Sequence, residues 1–306
     1  MRILIVGAGS TGGFFGAKLA KAGRDVTFLV RPQRLSLLEQ HGLCVRSSAG
    51  DIDIKPQLIT SSQINGTFDI VLLAVKAYTI DSALQDMAAA VGPDTVILPL
   101  LNGMRHMDVI AEKFGADRLL GCVCKVATSL DESGRIIQQG TFNDMAYGEL
   151  DGSESDRIAL VHEFMGDAGF DAKTSKTILR DMWEKWTLLV AMGSINCLMR
   201  GSIGDVASVK GGHEFAMRVI DEVVAIVRAT GQELSEPFLT QAYGLLTLQG
   251  SPQTSSMYRD LMAGRAIEAD QIIGDLLKRA TATGVEAPLL ALVYTNLLVY
   301  QAQLHN

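Results

Sequence analysis

Gly7, Gly9 and Gly12 stand in the spacing G-x-G-x-x-G, with Ala8, Ser10 and Thr11 between them, directly behind the apolar run Ile3-Leu4-Ile5-Val6. Glycines at these three places permit a tight turn, close approach of a pyrophosphate to the backbone, and close packing of a helix on a strand. The alanine-containing amphipathic stretch that follows offers N–H groups and a positive dipole end to phosphate oxygens. The chemistry this predicts is dinucleotide binding, with Gly7, Gly9, Ser10, Thr11 and Gly12 as the phosphate loop. An NAD-binding unit carries an acid for the ribose 2′-hydroxyl about 20 residues past the glycines. Here the chain reads Arg31-Pro32-Gln33-Arg34 instead. A guanidinium suits a doubly charged phosphate through forked hydrogen bonds, so the expected cofactor is NADP(H), with Arg31 and Arg34 at the 2′-phosphate.

Three further positions carry candidate chemistry. Lys76 follows the apolar run 70–75 and either reaches a phosphate or the adenine end of the cofactor, or stands in solvent as an ordinary surface lysine. Asn102-Gly103 follows the run 95–99; its amide can both donate and accept a hydrogen bond, and the pair is also a common turn dipeptide. Lys185, in Trp183-Glu184-Lys185-Trp186, is a candidate proton donor near the start of a long apolar helix, or a lysine snorkelling from an amphipathic face. Ser256 reads as a helix cap and Glu268 as a first-turn carboxylate, with Ala263-Gly264-Arg265 as the expected helix break between them.

The elements that must position these residues change character along the chain. Strand and helix signals alternate through the first part: strands near 2–6, 25–30, 69–74 and 95–99, helices near 10–22 and 79–90, and a hairpin over 43–54. Such alternation predicts a parallel sheet with right-handed crossovers. Two longer antiparallel strands, 119–130 and 135–148, turn at Asp131-Glu132-Ser133-Gly134, and a helix near 153–168 and a strand near 170–172 follow. Beyond about residue 174 only helices are expected: 176–200, 205–230, 235–249, 254–263, 266–283 and 287–303. The predicted fold class is α/β, a Rossmann-type dinucleotide domain over 1–173 followed by an all-helical substrate and dimerisation domain over 174–306.

Composition narrows the function classes. The chain of 306 residues is 48% hydrophobic and 20% charged, with a net charge of −7, which argues against non-specific nucleic-acid binding. No apolar run approaches the roughly 18 residues of a membrane span, and Met1 leads straight into a strand without a basic leader, so a cytoplasmic protein is expected. Cys44, Cys122, Cys124 and Cys197 read as reduced core or strand cysteines. His41, His106, His162, His213 and His305 show no metal-ligand spacing, and no metal is expected.

Taken together, these residues resemble the ketopantoate reductase (2-dehydropantoate 2-reductase) family. The resemblance runs along the whole chain: the N-terminal glycines, Arg31, Val75-Lys76-Ala77-Tyr78, Asn102-Gly103-Met104, Trp183-Glu184-Lys185, Ser255-Ser256-Met257 and Glu268. It implies a helical second domain of the 6-phosphogluconate dehydrogenase C-terminal type and NADPH-dependent reduction of ketopantoate to pantoate in pantothenate biosynthesis. Lys185 would be the general acid, joined by Glu268 as a catalytic group. Asn102 would sit between cofactor and substrate, and Ser256 would bind substrate. Hydride delivery to a keto carbon leaves an alkoxide, which a lysine stabilises and protonates.

The chain also departs from the pattern. In the best-known members asparagines lie four and eight residues after the lysine, where this chain has Leu189 and Gly193. Asn196 shares the lysine's face, but some 16 Å further along the helix. An apolar wall does not recognise a hydroxyl, so a 2-keto acid with a more apolar side chain competes with ketopantoate as substrate. A non-catalytic NADP(H)-sensing protein is the alternative from another class. A homodimer is expected, since the methionine-containing helical part suits either a core or a subunit surface.

Overall fold

The computed structural model describes residues 1–304, so His305 and Asn306 lie outside the described residues. The chain forms two compact units, one of Met1–Leu101 with His106–Leu179, the other of Asn102–Arg105 with the residues from Arg180 on.

The first unit is a Rossmann-like α/β fold. Its strands β1 (Arg2–Val6), β2 (Asp25–Leu29), β5 (Gln57–Ile59), β6 (Ile70–Leu73) and β7 (Val96–Pro99) form a parallel sheet in the order β5-β2-β1-β6-β7. β1 and β6 are continuous apolar runs because strands inside a parallel sheet are covered on both faces; Ile3, Leu4, Ile5, Ile70, Val71, Leu72 and Leu73 are all fully buried. Helix α1 (Ser10–Lys21) follows β1, α2 (Pro32–His41) follows β2, and α3 (Ile80–Asp86) lies between β6 and β7. Pro32 opens α2, where its missing N–H is no loss.

A second sheet, ordered β10-β9-β3-β4 with β8 paired to β9, is built from β3 (Leu43–Arg46), β4 (Ile52–Ile54), β8 (Gly121–Leu130), β9 (Ile136–Gly148) and β10 (Asp171–Thr174). Phe14 and Phe15 of α1 belong to one apolar core with Phe28 of the first sheet and Ile136, Met145 and Tyr147 of the second. Phe15 meets both Phe14 and Phe170 edge-on. Helices α4 (Arg105–Phe114) and α5 (Asp156–Met165) complete the order of elements. The short strand β5 went unread in the sequence: it is three residues long, follows Pro56, and pairs at the sheet edge with β2 alone.

The second unit is helical: α6 (Ile178–Met199), α7 (Ile203–Ser208), α8 (Gly212–Ala229), α9 (Glu236–Leu246), α10 (Ser256–Met262), α11 (Asp275–Thr283) and α12 (Pro288–Leu304). The helix expected over 205–230 is two helices, because Gly211 adopts a left-handed φ of 81° and caps α8. The helix expected over 266–283 opens with a π-helical turn, Asp270–Gly274, and only then becomes α11. Ser202, Ser235 and Ser255 cap α7, α9 and α10 with their side chains. Both carboxylate oxygens of Glu222 accept N–H bonds from Leu289 and Leu290, 3.0 Å each, at the start of α12. Among the described residues no helix is long and apolar enough to cross a membrane, and no cluster of three His, Cys, Asp or Glu is arranged to hold a metal ion.

Candidate active site

The phosphate loop leaves the carboxyl end of β1 between its two neighbours. Gly7 N–H donates to Leu29 O of β2 at 3.1 Å, and Ala74 N–H, just past β6, donates to Val6 O at 2.9 Å. Gly7 has φ +98°, and a Cβ there would stand 2.9 Å from Ala74 O. A Cβ on Gly12 would fall 2.2 Å from Gly7 O, so helix and turn approach each other only through glycine. Gly9 is different: a Cβ there meets nothing within 4 Å. It caps α1 without a side-chain hydrogen bond, and the first turn holds no acid. Open space in front of an uncapped, acid-free helix start, with Ser10 and Thr11 as its first residues, is a cradle that fits a pyrophosphate.

Strand order sets the residues on either side. Arg31 is two residues beyond Leu29 and Lys76 two residues beyond Ala74, so they flank the glycine turn; both are exposed. The Arg31 guanidinium donates to Ser82 Oγ of α3 at 2.7 Å, and Ser82 Oγ in turn donates to Thr79 O at 3.0 Å. Arg34 does something else. Its Nε donates to Ala8 O at 3.0 Å, inside the phosphate loop, while Nη1 and Nη2 donate to Gly134 O at 3.3 Å. Burial lowers its pKa. Of the two arginines expected at a 2′-phosphate, Arg34 is instead a clamp between the glycine turn and the β8–β9 turn, and Arg31 is the exposed one.

The second unit holds the other candidates. Lys185 is half-buried on α6, one residue before Trp186 and two after Trp183, which are 1% and 4% exposed. The tryptophan rings lie 5.1 Å apart, and the Arg279 guanidinium of α11 covers both, 5.3 and 5.5 Å from their centres. Asp275, one turn earlier on α11, accepts from Arg279 Nε at 3.3 Å. Next to Lys185, Glu184 accepts Ser235 N–H at 2.9 Å and fixes the start of α9.

Trp186 Nε1 donates to Ile272 O in the π-helical turn at 3.0 Å. Ile272 N–H donates to Glu268 O at 3.0 Å, which fixes the backbone of Glu268, a residue buried to 7% exposure. Across from α12, Tyr294 OH donates to Asp270 Oδ1 at 2.6 Å, and burial with this carboxylate pushes the phenol pKa up to about 12. Asn102 reaches this turn through its neighbour: Gly103, at φ +86°, would place a Cβ 2.8 Å from Gln271 O and 3.9 Å from Trp186 Nε1. The Asn102-Gly103 pair is therefore a left-handed turn, and that turn rests on the π-helical segment. Asn102, Lys185 and Glu268 are tied to one patch of structure.

The serine assignments shift by one residue. Ser255, not Ser256, is the cap of α10: its Oγ accepts Tyr258 N–H at 3.1 Å. Ser256 is the first helical residue and half-buried, its hydroxyl not taken up by the cap. Asn196 holds this helix start, accepting Ser255 N–H at 2.8 Å and donating to Gly201 O at 2.9 Å. A Cβ on Gly193 would stand 2.8 Å from Met257 Cε, so the methionine methyl fills the place of a side chain at 193. The roles of Trp186, Asn196 and Arg34 were missed in the sequence. Arg34 is expected from the sequence at the 2′-phosphate and Asn196 only on the lysine's face, and the tryptophan's place beside Lys185 is the one signal for Trp186.

Comparison with known proteins agrees with this architecture. The family described as "Ketopantoate reductase PanE/ApbA" matches residues 3–152, and its C-terminal counterpart, "Ketopantoate reductase PanE/ApbA C terminal", matches residues 177–301. An uncharacterized oxidoreductase, YkpB, of Bacillus subtilis (strain 168) is 31% identical, over 99% of this chain and 100% of its own length. Among solved structures, a PanE/ApbA family ketopantoate reductase from Ralstonia eutropha JMP134 superposes with TM-score 0.90 at 23% identity, covering both chains fully. A D-mandelate dehydrogenase solved with NADH and anilino(oxo)acetate superposes with TM-score 0.87 at 20% identity, again over both full chains. With both parts of the chain matched, the protein belongs to the ketopantoate reductase family of oxidoreductases.

Proposed function

We propose that the protein is an NADPH-dependent 2-dehydropantoate 2-reductase, reducing ketopantoate to pantoate for pantothenate synthesis. The observation that carries this reading is the tethering of Lys185, Asn102 and Glu268 around one π-helical turn. Gly7, Gly9, Ser10, Thr11 and Gly12 would hold the pyrophosphate, and Arg31 and Lys76 the adenosine phosphate, on the 1–173 side of the chain. When bound, the cofactor supplies a hydride to the keto carbon. Lys185 stabilises the alkoxide that develops on the substrate and transfers a proton to it, and is then reprotonated from water. Ser256 and Asn102 bind the keto acid with hydroxyl and amide, and Glu268 completes the polar set. The reading includes the cytoplasm as location, in keeping with four cysteines that are all thiols, and a homodimer as assembly.

A second reading rests on Gly193 and Leu189. A methionine methyl at the place of a side chain at 193, with leucine one turn beyond Lys185, favours a 2-keto acid with an apolar side chain. NADPH and NADH consumption against ketopantoate, 2-keto-3-methylbutyrate and an aryl 2-keto acid decides among these. The expected result is NADPH oxidation with a 2-keto acid by the native enzyme. Lys185→Ala is expected to bind NADPH with unchanged affinity and to oxidise it with none of them. Native protein that binds NADPH but reduces no acid is the behaviour of a sensor and overturns the enzymatic reading.

A further inference from the structure

We infer that Trp186 is a positioning residue of this site, and that its indole N–H sets the placement of Lys185, Glu268 and Asn102 relative to one another. The inference rests on the reading of these three as the reducing site's polar groups. One hydrogen bond joins this side chain to the segment that carries Glu268, and Gly103 of the Asn102 turn lies beside it. The N–H is bonded to Ile272 O at 3.0 Å, and the same Ile272 is bonded through its own N–H to Glu268 O at 3.0 Å. Trp186 is the next residue after Lys185 on α6, so the bond fixes how far the lysine-bearing turn stands from the segment that carries Glu268. The turn that carries Asn102 closes over this junction, with the Cβ direction of Gly103 aimed at Gln271 O, 2.8 Å away, and Trp186 Nε1 at 3.9 Å.

The acceptor, Ile272 O, lies in the π-helical turn Asp270–Gly274. A turn with i→i+5 bonding displaces the carbonyls from their α-helical line, and such turns gather at functional sites. An indole N–H is a donor only, so in a buried place it seeks one acceptor and holds one distance. The ring itself is held from behind. Trp183 lies 5.1 Å away, and Arg279, kept in place by Asp275, covers both rings. A ring fixed on one face and bonded at its edge keeps a single rotamer, which is the support that catalytic geometry requires.

The test is Trp186→Phe, which keeps an aromatic ring in the core and removes the donor, measured beside the native protein with the best 2-keto acid of the panel. The expected result is a fall in kcat of roughly 10- to 100-fold, the scale of a displaced catalytic group. NADPH affinity should be unchanged, and the pH profile of kcat should be altered where the proton donor titrates. Arg279→Met, which removes the covering cation but not the hydrogen bond, should give a smaller loss in the same direction. Should Trp186→Phe prove unfolded by circular dichroism, the 279 variant carries the test with the same kcat and pH readouts. A folded Trp186→Phe with native kcat and native pH profile overturns the inference. Native protein inert toward every keto acid overturns the functional reading instead, so the two failures are distinct.

Discussion

On the proposed reading, the choice of substrate turns on Leu189 and Gly193 more than on any charged residue. Leu189 lies one helical turn beyond Lys185, and the place of a side chain at 193 is filled by Met257. An amide restored at 189 would give the lysine's face a partner for a substrate hydroxyl. Leu189→Asn is therefore expected to raise the ratio of kcat/KM for ketopantoate over 2-keto-3-methylbutyrate roughly tenfold, the worth of one hydrogen bond of about 1.4 kcal/mol. An unchanged ratio would remove residue 189 from substrate recognition. At the other end of the chain, Gly12→Ala forces a methyl to within 2.2 Å of Gly7 O, both atoms on rigid backbone. The expected outcome is a lowered thermal midpoint and weakened NADPH binding, read by fluorescence titration. Residues whose type is itself the signal were legible from the sequence, as with the glycines of the turn after β1, where Gly7 and Gly12 leave no room for a Cβ. Arg34, Asn196 and Trp186 were not, because each acts on a main-chain group far along the chain, Gly134, Ser255 and Ile272 respectively. Ser255 and Ser256 are equivalent in type, and only backbone geometry tells cap from first helical residue.

The join between β9 and α5 depends on one buried acid. Glu149, 7% exposed, follows the last residue of β9; it accepts from Arg157 Nε at 2.7 Å and also from Ser155, the cap of α5. The Arg157 guanidinium, helped by the Ser155 hydroxyl, holds its carboxyl below the usual 4.5. A carboxyl with a lowered folded-state pKa stabilises the fold above its unfolded value, and that contribution disappears as pH falls through the folded value. The native protein is thus expected to melt above Glu149→Gln at pH 7, with the gap closing as pH drops below about 4.5. A gap constant over pH 3 to 7 would assign Glu149 a packing role only. Legibility at this scale follows periodicity. The β8–β9 pair was readable because two long strand-forming runs flank a polar turn that ends in Gly134, whose N–H donates to Asp131 O at 3.0 Å. The π-helical turn was not, since Asp270–Gly274 shares composition and near-period with the helix it opens. The register shift between Val126 and Thr128 likewise leaves no mark in the composition of β8.

Asn102–Arg105 group with the helical unit although only Leu100 and Leu101 separate them from β7 of the sheet. A sequence boundary drawn once, between 173 and 174, has no means of expressing such an excursion, because composition changes at 174 and not at 102. The change from strands to helices was legible; the detour was not. What the helical unit leaves uncovered bears on assembly. Helix α12 has no charged residue in its seventeen positions. Ala291, Leu292, Thr295, Leu298 and Val299 form one exposed stripe along it, with Leu292 at 56% and Val299 at 53% exposure. An apolar stripe of this kind marks an interaction surface. The proposed homodimer would seat a second copy there, since about a two-fold axis the same uncharged stripe would meet itself without burying an unpaired charge. Sedimentation of the native protein is expected to give twice the 32.9 kDa of one chain. Leu292→Lys with Leu298→Lys would set like charges against each other across the axis and shift the protein to a single-chain mass. Native protein sedimenting at 32.9 kDa, or a double variant that stays dimeric, would exclude α12 as the contact.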